Sequence, residues 1–200
     1  MRITVISGSH RKVSQSEKVA RFTEARLQAM GLETDLFSLA GNPLPFWDEG
    51  IWAGEERWKV LLEPLSARLK ASDGFVIVVP EWHGQIPSGL KNFMLLWGSG
   101  ELAHKPALII AVSSSIGGTY PVSELRMNSY KNNRICYMPE HLIIRNVESV
   151  LNDGPAETEA DLLYRERLDW NLELLKAYAA AFVQIRESAP IFNKQFPFGM

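Results

Sequence analysis

The chain has one cysteine, Cys136, among its 200 residues. A lone thiol excludes an intramolecular disulfide and any cysteine-built metal cluster, and it makes the cytoplasm the expected compartment. Long apolar runs are missing too. The longest, "ALIIAV" at 107–112, falls far short of the ~20 residues that span a bilayer, and the N-terminus lacks the apolar core of a secretory signal. Net charge is almost absent: 21 basic against 23 acidic side chains leave −2. No global field therefore favours nucleic acid, and any anion site has to be local. Catalytic signatures are equally sparse. The four histidines form no H-E-x-x-H, which argues against a metal site, and without G-x-S-x-G there is no nucleophile elbow.

What is present is the material of a self-folding domain. Hydrophobic residues make up 46% of the chain and six are tryptophan, and this length fits one domain. Four β-branched runs stand out: "ITVI" at 3–6, "FVIVV" at 75–79, "ALIIAV" at 107–112 and "HLIIRNV" at 141–147. Unbroken apolar runs mean strands buried on both faces, hence a parallel sheet. The alternating "ETDLFSL" at 33–39 reads as a fifth strand toward the sheet edge.

Helical patterns separate the strands. The first spans Gln15 to Met30, with Ser14 and Glu17 as a capping box and Gly31 as its stop. Others fit Glu55 to Lys70, a segment after Pro87 with Leu90, Met94 and Trp97 on one face, Val122 to Ile135, and Thr158 to Glu187. Strict βα alternation predicts an α/β three-layer sandwich of flavodoxin-like type, with a five-stranded parallel sheet in the order 2-1-3-4-5. Its ligand should lie outside the carboxyl ends of the strands, at the switch point between the first and third. The expected organisation is a single domain over 1–187, followed by a Pro-broken apolar tail at 188–200 suited to packing on a partner.

Three loops then face the ligand. The first, "SGSHRKVSQS" at 7–16, concentrates hydroxyls, a glycine and a guanidinium ahead of a helix N-terminus, which is an anion site in outline. It lacks G-x-G-x-x-G and G-x-x-x-x-G-K-[ST], so neither a dinucleotide fingerprint nor a Walker loop is present. Ser14 both caps the helix and faces the anion on this reading. The second, "PEWHGQIPSGLKN" at 80–92, is a rigid loop able to place backbone amides and the Trp82 ring beside a flat heterocycle. His83 has no evident carboxylate partner and is given no catalytic role. The third, "SSSIGGTYP" at 113–121, has glycines that let the backbone approach a ring closely.

These residues resemble the NADPH-dependent FMN reductases, a flavodoxin-like family that includes chromate, quinone and azo-dye reductases. "GSHRKVSQS" is similar to the family's G-S-x-R-x-x-S-x-[NS], and "PEWHGQIPSGLKN" to its P-E-[YW]-[HN]-x-x-x-P-[GAS]-x-L-K-N. The second motif is the more specific, and the likeness runs from Ile3 to about Val147. By position, the resemblance implies FMN phosphate contacts at Ser9, Arg11, Ser14, Ser16 and the Gln15 backbone. It puts the ribityl chain and ring edge at Pro80, Glu81, Trp82, His83 and Gly84, and the third flavin loop at Ser113, Ser114, Ser115, Gly117 and Gly118. The sequence departs from the family where an Asp-Trp pair usually follows Lys-Asn and two apolar residues: Leu95 and Leu96 stand there, with Trp97 one place later.

The resemblance also implies that the flavin carries the chemistry and that no side chain need act as acid or base. Hydride would pass from NADPH or NADH to flavin N5, and then to a quinone, flavin, azo or metal-oxyanion acceptor by ping-pong kinetics. A homodimer or homotetramer is implied, with Phe46, Trp47 and Trp52 equally suited to a subunit contact or to covering the core. Two other functions fit the same fold: an FMN electron carrier, against which the small net charge argues, and a non-redox module for a phosphorylated ligand or partner.

Overall fold

In the computed structural model, residues 1–98, 100–188 and 193–196 are described. The first strand, β1 (Arg2–Ser7), leads into α1 (Gln15–Ala29), β2 (Glu33–Ser38), the single turn α2 (Gly50–Ala53) and α3 (Glu56–Lys70). Then come β3 (Gly74–Pro80), α4 (Ser88–Leu96), β4 (Pro106–Val112), α5 (Thr119–Met127), β5 (Cys136–Ile144) and α6 (Glu159–Glu187). The strands pair in the order β2-β1-β3-β4-β5, all parallel. This is the flavodoxin-like arrangement that the apolar runs imply.

Alternation along each strand feeds two cores. Phe75, Ile77 and Val79 point to the side of α3, α4 and α5, where Leu69, Leu90, Phe93 and Leu125 meet them. Val76, Val78, Leu108 and Ile110 point the other way, against Val19 and Leu27 of α1 and Leu168, Leu172 and Leu175 of α6. Both faces of β3 and β4 are thus covered, which is why their sequences show no polar alternation.

Several boundaries differ from the sequence reading. The helix expected over Val122 to Ile135 is α5, which starts at Thr119 and stops at Met127. The helix stops where Asn128 turns extended (φ −134°, ψ −172°), and Ser129, Asn132 and Arg134 beyond it take φ of 65°, 65° and 50°, left-handed backbone that rules out its continuation. The last strand begins at Cys136, five residues ahead of the expected His141, and ends at Ile144. Pro139 and a register shift opposite Ala107–Ile109 disguise its start. They are tolerated because β5 is an edge strand. The helix expected after Pro87 is α4, which ends at Leu96, so Trp97 is extended, although its ring is buried.

The loop at 39–54 is fastened to α4 by one side chain. Buried Asn92 accepts from the Trp47 N–H at 2.7 Å and donates to the Pro45 carbonyl at 2.8 Å. Phe46 and Trp52 remain exposed, and the Trp52 ring meets Trp47 edge-on at 4.7 Å. Of the tail expected to pack on a partner, residues 189–192 and 197–200 lie outside the described residues. Within 193–196, the Phe196 carbonyl accepts from Arg134 Nη2 at 2.9 Å. No helix among the described residues is long and apolar enough to cross a membrane.

Candidate active site

The site is built at the carboxyl edge of the sheet, where β1 and β3 send their connections in opposite directions. β1 continues into Gly8, whose N–H donates to Val78 O at 2.8 Å. A Cβ at Gly8 would lie 2.8 Å from that same oxygen, so only glycine lets the first loop leave the strand so close to β3. The chain then turns through exposed Arg11, Lys12 and Val13 and enters α1 at Ser14. Ser14 is extended (φ −151°, ψ 151°) and its Oγ accepts from the Glu17 N–H at 3.1 Å, as the capping-box spacing predicts. The amides of Gln15 and Ser16 head the helix ahead of any intrahelical acceptor and carry the positive end of its dipole.

β3 ends at Pro80, and the second loop closes tightly. Trp82 and Gln85 exchange two backbone hydrogen bonds of 3.0 Å across His83 and Gly84. With φ of 51° at His83 and 70° at Gly84, this is a type I′ hairpin turn, which needs both central residues left-handed. Trp82 leaves the turn with its ring edge-on to His10 of the first loop at 4.8 Å. His10 in turn packs on Gly89 of α4, where a Cβ would come within 2.8 Å of its Nδ1. The histidine is thus a spacer between two loops.

Glu81 joins the second loop to the third. Its carboxylate accepts from the Gly118 N–H at 2.6 Å, while its own N–H donates to Val112 O at 3.1 Å. Gly118 has φ 105°, and a Cβ there would meet Ile143 at 2.5 Å. Ser113 turns inward on its own loop, its Oγ accepting from the Ser115 N–H at 3.2 Å.

Together the loops enclose a cleft of about 270 Å³. Nine of the fifteen residues expected at a ligand line it: Ser9, Arg11, Ser14, Gln15, Ser16, Pro80, Glu81, Trp82 and Ser114. His83, Gly84, Ser113, Ser115, Gly117 and Gly118 do not; they form the turns and the staple that hold those nine in place. Val112, Val147 and Glu148 complete the lining. The last two escape sequence reasoning because they arrive on the β5–α6 connection, without a local motif.

A long-range device holds that connection. Lys18 Nζ donates to Val147 O at 2.6 Å, Val150 O at 2.8 Å and Asn152 Oδ1 at 2.8 Å. Burial lowers the Lys18 pKa, against the opposing pull of the Asp161 and Glu148 carboxylates. This lysine therefore fastens the far wall of the cleft to the first turn of α1.

A sequence profile of the NADPH-dependent FMN reductases matches residues 1–149, the stretch that contains all three loops. The chain belongs to the NADPH-dependent FMN reductase family. It is accordingly an oxidoreductase of a group that uses FMN and NADPH. The chain is 26% identical to an NADPH azoreductase of Bacillus sp. (strain OY1-2) over 193 residues, covering 94% of this chain and 97% of that one. It is 31% identical to a quinone reductase of Escherichia coli (strain K12) over 122 residues, 59% of this chain and 63% of that one. Among solved structures, the flavoenzyme NAD(P)H:(acceptor) oxidoreductase FerB from Paracoccus denitrificans superimposes with a TM-score of 0.66 at 19% identity, covering 92% of this chain and 97% of FerB. An NADH:FMN oxidoreductase in its apo form gives 0.63 at 15% identity, with 98% and 94% covered. At such identities the structural likeness speaks for the fold alone.

Proposed function

We propose that the cleft holds FMN by its phosphate and that the bound flavin is reduced by NADPH and reoxidised by a small quinone or azo acceptor. The observation that carries this reading is the convergence of the first loop, Pro80–Trp82 and Ser114 in one cleft at the switch point.

The donor set fits a dianionic phosphate. Ser9 and Ser16 are buried hydroxyls at the base, Arg11 supplies a planar fork at the rim, and the α1 amides face inward. Gln15 has a buried Oε1 with no hydrogen-bond partner among the described residues; being an acceptor, it suits a ribityl hydroxyl and not the phosphate. On the far side of the cleft, Pro80 and the Trp82 turn fix a backbone wall against which a flat ring can lie. FMN, when bound, supplies the hydride acceptance and donation. The chain positions it, screens it from water and needs no side-chain acid or base.

Three finer expectations belong to the same reading. The folded unit spans 1–187, the compartment is the cytoplasm, and the protein works as a homodimer or homotetramer. Exposed Leu95 on α4 and exposed Tyr120 and Met127 on α5 support a subunit contact on that face. Steady-state NADPH oxidation by the FMN-loaded protein tests the reading: parallel double-reciprocal lines with a quinone or azo acceptor support it. Tight FMN binding without NADPH oxidation above background would instead make the protein an electron carrier.

A further inference from the structure

Outside the cleft, a second concavity of about 330 Å³ runs along the outer edge of β5, between the strand and the N-terminal half of α6. Its walls are apolar at Ile143, Ala160 and Leu163, with the Tyr164 ring alongside. Its polar lining is of one sign: His141, Arg145 and Arg167 face it, and among the described residues no carboxylate lines it. In a chain whose net charge is −2, that local asymmetry is a departure from the surface average.

Three contacts build the groove. Tyr164 Oη accepts from the Arg145 N–H at 3.2 Å, which ties α6 to the end of the strand. Arg145 Nε donates to Gly117 O at 3.1 Å, which ties the groove to the third loop of the cleft. Arg126 of α5 brings its Nη2 within 3.3 Å of His141 Nδ1. Burial first, and then the Arg126 and Arg167 guanidinium charges, lower the pKa of His141, against a hydrogen bond with the Pro139 backbone that raises it; the two guanidinium groups add positive charge beside the groove. An anion entering the groove would offset those charges.

We propose that this groove binds a phosphate or sulfonate group attached, directly or through a sugar, to a flat aromatic ring. Apolar walls receive the ring, and Arg145 and Arg167 pair with the anion through charge-assisted hydrogen bonds. Two kinds of ligand carry that chemistry: the 2′-phosphoadenosine end of NADPH, which belongs to the reading above, and an aromatic acceptor that bears a sulfonate. The contact of Arg145 with the Gly117 carbonyl places the groove next to the flavin cleft. The proposal rests on that reading for its physiological ligand, although the groove's affinity for anions does not depend on FMN.

The test uses the full-length protein with and without FMN. Binding of 2′,5′-ADP, of 5′-AMP as the control without the 2′-phosphate, and of naphthalene-2-sulfonate is measured by calorimetry, and the His141 imidazole is titrated by NMR in each case. Binding of 2′,5′-ADP over 5′-AMP, with a raised His141 pKa, supports the proposal and names the nicotinamide donor as its source. Binding of the sulfonate alone supports it with the acceptor as source. In either case Arg145→Gln and Arg167→Gln should each weaken the bound probe roughly tenfold, the equivalent of one charge-assisted bond. If the donor is the source, they should also lower the kcat/KM preference for NADPH over NADH. Two results overturn the proposal: no binding of either probe, or binding unaffected by both substitutions in variants with native circular dichroism. FMN titration of the same samples separates this failure from failure of the flavin reading, because FMN binding is followed at the flavin band and anion binding at His141.

Discussion

Replacing Glu81 should separate the staple from the cradle. Its carboxylate accepts from the Gly118 N–H at 2.6 Å in a partly buried setting, and a hydrogen bond to a charged group contributes about 1.5–3 kcal/mol net. Glu81→Gln keeps a neutral acceptor of about 0.5–1.5 kcal/mol at the same place, so it should lose roughly half of that stabilisation. Glu81→Ala should lose all of it and leave a buried N–H on Gly118 without an acceptor. Both partners of the staple belong to the chain itself, so the loss should be readable on the FMN-free protein. Urea unfolding should show midpoints in the order wild type, Gln, Ala, with the slope unchanged. If the third loop opens as a result, the competent fraction falls, and the Kd for FMN rises by roughly ten- to a hundredfold for Ala. Quenching of FMN fluorescence measures that rise. An alanine variant with wild-type stability and wild-type FMN affinity would refute the reasoning.

Arg11→Ala should weaken FMN binding by about 1.5–3 kcal/mol, the value of one charge-assisted contact, while leaving stability nearly unchanged because the side chain is exposed; a riboflavin titration should show no such loss. Ser14→Ala should do both, costing about 1 kcal/mol of stability through the lost cap and some FMN affinity; equal stability by urea unfolding would contradict the capping geometry. Gly118→Ala combines a strained φ with a Cβ 2.5 Å from Ile143. Each of these costs about 1–3 kcal/mol, so the thermal midpoint should fall by several degrees, and an unchanged midpoint would mean that the loop relaxes freely.

How much of this was legible in the sequence depends on whether the cause was local. The parallel sheet could be read because 75–79 and 107–112 are apolar without interruption, and burial on both faces leaves little alternative. Ser14 could be read because a cap and the residue whose N–H donates to it sit three residues apart. The early start of β5 could not, since Pro139 interrupts the pattern and only its place at the sheet edge makes that harmless. The type I′ turn at 82–85 was written in the sequence as His83-Gly84, but a histidine at positive φ is uncommon enough to hide it.

The cleft shows the same division. Its first two walls follow from motifs of about ten residues each, so the resemblance located them. The third wall depends on Lys18 reaching the carbonyls of Val147 and Val150 and on Glu81 reaching Gly118. Neither partner can be inferred from spacing, because what joins them is the sheet order itself. Glu148 entered the lining for the same reason.

The most direct measurement is the visible spectrum of the FMN-loaded protein under anaerobic conditions, before and after NADPH. A bound flavin band that bleaches on addition of NADPH and returns with a quinone is the result expected of the cleft described above. A protein that stays colourless after incubation with FMN, without quenching the flavin's fluorescence, would contradict it.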